Sequence, residues 1–258
     1  MEFCRAGVGD VVSPSLAEDD IHLWTWRLDG DFLSACGDWL TPEERDRCAG
    51  LSEPHAQIRF AAARNGLRFL LAHYLGSEPS DVVLKEGRFG KPCLGLDASL
   101  AFNLSHAGDI AAVALCRGGE VGIDIEAETA GHIELRGILS AEEGWQLHLL
   151  GLPLDRSVLL QIWVWKEAVL KASGLGLTVD PDTVVLTFER QGRRLLARSG
   201  AIPDLGSYGL RSFVPVPGFV GAVAVTREGL RMFSFSLCRE HLNEACRMWS
   251  DVGRIKAS

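Results

Sequence analysis

Val121-Gly122-Ile123-Asp124-Ile125-Glu126 is the stretch from which the rest of the chain can be read. Side chains alternate between the two faces of a strand, which assigns Val121, Ile123 and Ile125 to a core. Gly122, Asp124 and Glu126 then share the opposite face, with the two acids about 7 Å apart along the backbone. Carboxylates at that spacing can converge on one divalent cation, with Gly122 leaving room beside them, or they can simply face water on a half-exposed strand. The preceding Leu115-Cys116-Arg117-Gly118-Gly119-Glu120 joins two strand-like runs through a Gly-Gly pair, a tight-turn signal. A lobe junction is expected there, giving an N-terminal lobe over 1–118 and a C-terminal lobe over 119–258.

Either side of that junction the chain echoes itself. Trp39-Leu40-Thr41-Pro42-Glu43-Glu44 resembles Gly137-Ile138-Leu139-Ser140-Ala141-Glu142-Glu143, and each contains a capping box, Thr41-x-x-Glu44 and Ser140-x-x-Glu143. Each is followed by a longer helical pattern. The first is expected over about 56–74, with Phe60, Ala63, Leu67, Leu70, Leu71 and Tyr74 as its buried stripe and Arg64 and Arg68 on another face. The second is expected over about 156–173, with Val158, Ile162, Trp165 and Val169 inward and Gly174 as its stop. A small-residue strand closes each half, Ile110 to Leu115 and Val220 to Val225. Three matches in the same order predict a duplicated α/β (α+β) unit.

Composition sets outer limits. Of 258 residues, 47% are hydrophobic and 23% charged, as in ordinary globular proteins. The net charge of −8 argues against broad nucleic-acid binding, which needs a basic face. No apolar run approaches a bilayer span, and the N-terminus lacks the pattern of a signal peptide, so a cytoplasmic protein without a membrane partner is expected. The seven cysteines are scattered and never spaced Cys-x-x-Cys, which fits a reducing compartment. Only five lysines occur: Lys85, Lys91, Lys166, Lys171 and Lys256. Where arginine is so abundant, each lysine carries more information.

Three further clusters can carry chemistry. In Trp163-Val164-Trp165-Lys166-Glu167-Ala168-Val169-Leu170-Lys171, Glu167 and Lys171 share a helix face with Trp163, either as a functional group or as an ordinary i,i+4 pair. Phe102-Asn103-Leu104-Ser105-His106 reads as a loop of polar groups suited to phosphate, or as a turn. Gly87-Arg88-Phe89-Gly90-Lys91-Pro92 is a glycine-rich turn without the spacing of a Walker sequence.

In this order and spacing, Gly90-Lys91-Pro92, Asn103-Leu104-Ser105-His106, Gly122-Ile123-Asp124-Ile125-Glu126 and Trp163-x-x-Lys166-Glu167-x-x-x-Lys171 resemble the surfactin-synthetase-type 4′-phosphopantetheinyl transferases. The resemblance runs from about Ile21 to Val225. It implies two similar α/β lobes related by a pseudo-twofold axis, monomeric, with coenzyme A in the cleft between them. It implies magnesium, with manganese as an alternative, held by Asp124, Glu126 and Glu167. It places Lys91 and Pro92 at the adenine, Arg64 and Arg47 at the 3′-phosphate, and Asn103, Ser105 and His106 with Asp124 and Lys171 around the phosphates. Lys171 would neutralise pyrophosphate charge, Glu167 would take the serine proton, and His106 would assist. The implied partners are apo acyl or peptidyl carrier proteins of fatty-acid, polyketide or nonribosomal-peptide synthases. Where relatives often carry several basic residues after the first capping box, this chain has Thr41-Pro42-Glu43-Glu44-Arg45-Asp46-Arg47, of which Arg47 is the well-placed one. A metal-dependent phosphodiesterase using the same carboxylates, and a coenzyme A-binding module, are the competing readings.

Overall fold

The computed structural model describes residues 15–87, 90–95, 99–131, 137–175, 179–191, 194–200, 206–227 and 229–242. Lys256, Arg88 and Phe89, named above, lie outside them. Two sheets form the frame. The first runs in the order β11 (Arg231–Ser236), β1 (Asp20–Arg27), β5 (Ile110–Arg117), β4 (Leu100–Ala107), and the second in the order β6 (Val121–Ala127), β10 (Phe219–Val225), β9 (Gly209–Phe213). β11 is parallel to β1, and the other pairings are antiparallel. The Gly-Gly turn does not close a hairpin. It carries the chain from β5 in one sheet to β6 in the other, with Gly118 at φ 67°.

The two halves repeat one another. In the first, β1 leads through α1 (Gly30–Ala35), α2 (Pro42–Ala49) and α3 (Pro54–Leu75), a 3-10 turn and a hairpin of β2 (Leu84–Glu86) and β3 (Pro92–Leu94), to β4 and β5. In the second, β6 leads through α4 (Ala141–Leu149) and α5 (Arg156–Ser173), a 3-10 turn and a hairpin of β7 (Leu186–Gln191) and β8 (Arg194–Ser199), to β9 and β10. The three shared strands lie in the same order in each sheet, β1-β5-β4 and β6-β10-β9. Among the described residues α1 and β11 have no counterpart. Because β11 joins the first sheet, the chain returns to the N-terminal strands at its end. Among the described residues no helix is long and apolar enough to cross a membrane.

Both capping boxes close as the sequence predicts. The Thr41 hydroxyl accepts from Glu44 N and the Ser140 hydroxyl from Glu143 N, while each glutamate accepts from its own N-cap amide. Each glutamate also receives a cation from the following long helix. Glu44 Oε2 accepts from Nε and Nη2 of Arg68 at 3.1 and 3.0 Å, and Glu143 Oε2 accepts from Lys166 Nζ at 2.7 Å. α5 ends at Gly174 in the left-handed conformation (φ 72°), as expected. α3 departs from the single-stripe reading. Ala61 to Ala63 and Asn65 to Ala72 are all buried, because the helix is covered on several sides, whereas Phe60 is only half-buried, beneath Arg47 and Arg64.

Three cores result. One lies between α3 and the first sheet and one between α5 and the second sheet. The third lies between the sheets, where Ile21, Leu23, Ala112 and Ala114 meet Val121, Ile123, Ile125 and Val223. Strand β6 is thus covered on both faces, by the opposite sheet and by α5, which is what brings its acids out of water.

Candidate functional site

Strand β6 alternates as predicted, with Val121, Ile123 and Ile125 in the core between the sheets. The reading of Gly122 requires correction. Space beside it is taken by α5: a Cβ there would lie 2.1 Å from Ala168 O and 2.3 Å from Ala172 N. Glycine at 122 lets the helix backbone seat directly on the strand, and that contact sets the approach of Glu167 and Lys171 to Asp124. The polar run at 103–106 is also not a loop. It lies on β4, whose edge faces the edge of β6.

There the side chains of β4 take the place of a backbone ladder. Asn103 Oδ1 accepts from Ile123 N at 2.9 Å, and Ser105 Oγ accepts from Ile125 N at 3.4 Å. The Ser105 hydroxyl donates to Asp124 Oδ1 at 3.0 Å. Lys171 Nζ donates to Asp124 Oδ1 at 2.5 Å and to Ser105 Oγ at 3.0 Å. Lys171 therefore spends its hydrogen bonds across the cleft, which excludes a purely local i,i+4 pairing with Glu167.

Asp124 Oδ2 and Glu167 Oε1 are buried and have no hydrogen-bond partner. Burial first, and then the neighbouring charges of Asp124 and Glu126, push the Glu167 pKa up to about 7 against the opposing pull of Lys171. Burial and the Asp124 charge likewise push Glu126 up to about 7. The Trp163 indole lowers the Glu126 value slightly, although its Nε1 closes no hydrogen bond. Three carboxylates are thus gathered around a single ammonium group, and the excess negative charge is poorly solvated. Orphaned carboxylate oxygens in such a donor set fit a hard dication such as magnesium, which takes oxygen ligands. As the side chains stand, no group of three or more His, Cys, Asp or Glu among the described residues is arranged to hold a metal ion, so these carboxylates would have to move to ligate one together.

His106 stands at the exposed end of the same strand, where the surrounding atoms, Lys171 and Arg59 of α3 hold its pKa below the usual imidazole value. Its neighbours favour the neutral ring. Arg47 and Arg64 come together over Phe60, at 5.6 and 5.8 Å from the ring centroid, and Arg64 also lies 3.7 Å from Glu44. They form a separate basic patch on α2 and α3. Lys91 is heavily engaged: its Nζ donates to Glu120 Oε2, Val121 O and Ala172 O at 3.1 to 3.2 Å. It ties the turn before β3 to the start of β6 and the end of α5. Pro92 follows it at the start of β3.

A family model described as the 4′-phosphopantetheinyl transferase superfamily matches residues 120–209, which hold Asp124, Glu126, Glu167 and Lys171. The 4′-phosphopantetheinyl transferase HetI of Nostoc sp. is 31% identical over 225 residues, covering 83% of this chain and 91% of the relative. The chain belongs to the 4′-phosphopantetheinyl transferase superfamily. The 4′-phosphopantetheinyl transferase AcpT of Escherichia coli (strain K12) is 33% identical over 110 residues, 42% of this chain and 55% of the relative. The 4′-phosphopantetheinyl transferase Sfp of Bacillus subtilis is 23% identical over 156 residues, 60% of this chain and 69% of the relative. In this transferase the motif residues that sequence reasoning picked out meet at the facing edges of β4 and β6. Sequence reasoning missed Arg59 beside His106, the three-way engagement of Lys91 and the burial of Lys166. For Lys166 a signal was present, since its partner is the glutamate of the capping box.

The raised carboxylates make stability depend on pH in a definite direction. For Glu126 and Glu167, native values near 7 against ordinary values of 4.5 mean that the folded state holds extra protons between those limits. Stability without a dication is therefore fully present below about pH 4.5, falls as pH rises from there through about 7, and levels off above it. Thermal melts in a chelating buffer between pH 5 and 8 should show this fall, and millimolar magnesium should reverse it at the upper end. A midpoint independent of pH and magnesium across that range would contradict the carboxylate cluster.

Proposed function

We propose that the protein moves the 4′-phosphopantetheine arm of coenzyme A onto a serine of an apo acyl or peptidyl carrier protein and releases 3′,5′-ADP. The observation that carries this reading is the meeting of Asp124, Glu126, Glu167 and Lys171 at the facing edges of the two sheets, with two carboxylate oxygens left unpaired. Asp124, Glu126 and Glu167 would hold magnesium, with manganese as an alternative. When bound, the dication would supply charge neutralisation at the pyrophosphate that is cleaved. Lys171 adds a compact positive charge at the same place, steered by Asp124 and Ser105.

Glu167, directly or through a water on the metal, is the candidate for the serine proton, because its Oε1 is buried beside Asp124 and Lys171 and has no hydrogen-bond partner of its own. His106, whose surroundings favour the neutral ring, would donate to a phosphate or assist that transfer. Arg47 and Arg64 would take the 3′-phosphate, Lys91 and Pro92 would flank the adenine through atoms not used in the Lys91 contacts, and Asn103 would hold the β6 edge. The division into lobes at 118/119, related by a pseudo-twofold axis, is supported by the repeated element order and by the equal strand order of the two sheets. A cytoplasmic monomer acting on carriers of fatty-acid, polyketide or nonribosomal-peptide synthases fits this picture.

The test is the intact mass of several apo carriers incubated with the protein, magnesium and coenzyme A. At least one carrier should gain a single phosphopantetheine, and none should do so when the metal is chelated. Consumption of coenzyme A without any carrier modification would point instead to a hydrolase.

A further inference from the structure

The repeated architecture leaves a second meeting place of the halves, away from the carboxylates. At the first, β4 faces β6. At the second, β9, which holds in its sheet the place that β4 holds in the other, lines a common hollow with Ile21 of β1 and Met232 of the added strand β11. A cavity of about 260 Å³ opens there. Its floor is apolar and deeply buried, formed by Ile21, Trp165, Leu210 and Val225. Its rim carries Arg198, Arg211 and Arg227 against one carboxylate, Glu189.

These guanidinium groups differ in what they already bind. Arg227 is paired with Asp19 at 3.1 Å and with Glu18 O at 3.0 Å. Arg211 donates only to the neighbouring Leu210 carbonyl at 3.2 Å, and Arg198 has no hydrogen bond or ion pair among the described residues. Two guanidinium groups with spare donors thus stand over an apolar hollow, in a protein whose net charge is −8. Guanidinium forks match carboxylate and phosphate oxygens, and an apolar hollow takes hydrocarbon. The volume sets the size of the guest at a small molecule.

We propose that this second cleft is a binding site for a small amphiphilic anion, a carboxylate or phosphate head on a short apolar chain, with Arg198 and Arg211 at the head and Trp165 and Leu210 along the chain. Occupancy would bridge β8 and β9 of one half to β1 and β11 of the other. The site is independent of the transferase chemistry, so it stands or falls separately from that reading.

Octanoate is a suitable probe, measured by isothermal titration against the whole protein. Saturable one-to-one binding is expected, undisturbed when 3′,5′-ADP is present in excess. The double variant Arg198→Gln, Arg211→Gln should bind octanoate about tenfold more weakly or worse, the loss of at least one charged hydrogen bond. Leu196→Trp, which adds bulk from the half-exposed cavity wall, should abolish binding, and melting curves would establish that both variants fold. Octanol, which lacks the head, and acetate, which lacks the chain, should each bind at least about tenfold more weakly than octanoate. Absence of saturable octanoate binding, displacement by 3′,5′-ADP, or equal affinity in the double variant would each overturn the assignment.

Discussion

Asp124→Ala and Glu167→Ala are each expected to lower turnover of carrier modification by a factor of about 100 or more, a loss of about 2.7 kcal/mol or more of transition-state stabilisation. Asp124 is the acceptor for both Lys171 and Ser105, and its second oxygen is free and buried. Removing it would take away one of the proposed metal ligands and also the restraint on the lysine. Asp124→Asn keeps the shape but not the charge, so it should be nearly as damaging while melting close to the wild type. Lys171→Arg sharpens the comparison. The ammonium sits 2.5 Å from Asp124 and 3.0 Å from Ser105, and the wider guanidinium cannot enter that space without displacing one of them. Turnover near wild type in both Glu167→Ala and Lys171→Arg would falsify the catalytic assignment of α5.

Lys166→Met should instead damage the fold. Lys166 and Glu143 have no exposed side-chain surface, and Glu143 is further bound by Ser140 N at 2.7 Å and Leu186 N at 2.9 Å. Deleting the ammonium leaves a carboxylate buried among neutral donors, which costs about 3–5 kcal/mol, or on the order of 10 °C in melting midpoint for a chain of this size. Adding Glu143→Gln removes the stranded charge while keeping an acceptor for the backbone amides, so the double variant should recover much of the loss. Denaturant melts of the three variants decide this. A single variant within about 1 kcal/mol of wild type, or a double no better than the single, would show that the pair is not the tie between α4, α5 and β7.

The two lysines of one motif show what could and could not be read in advance. Lys166 and Lys171 are five residues apart, about 140° around the helix, whereas Glu167 and Lys171 are separated by about 40°. That spacing was legible, and it put Glu167 and Lys171 on one face. Which face would meet Asp124, and which would meet a buried glutamate, depended on how α5 lies on β6, and that is set by the absence of a Cβ at Gly122. The sequence contained the glycine, but without the helix above it the residue read as space for an ion. Likewise Asn103, Ser105 and His106 had the composition of a turn, and only the pairing of β4 with β5 makes them a strand.

By itself the sequence determined the local elements: two capping boxes that start helices, a glycine that stops one, the alternation in 121–126, and the repeat that links them. Those depend on hydrogen bonds and side-chain spacing within a few residues, so a linear pattern records them. The order and spacing of the motifs also carried the family resemblance. Tertiary structure alone decided that Lys171 reaches Asp124 and Ser105, that Lys91 binds three carbonyl and carboxylate oxygens, and that two carboxylate oxygens are left unpaired. Whether a charged group is solvated, paired or stranded depends on atoms brought to it by the packing of distant segments, and the energy of an ionised side chain varies with that surrounding more than with its neighbours in sequence.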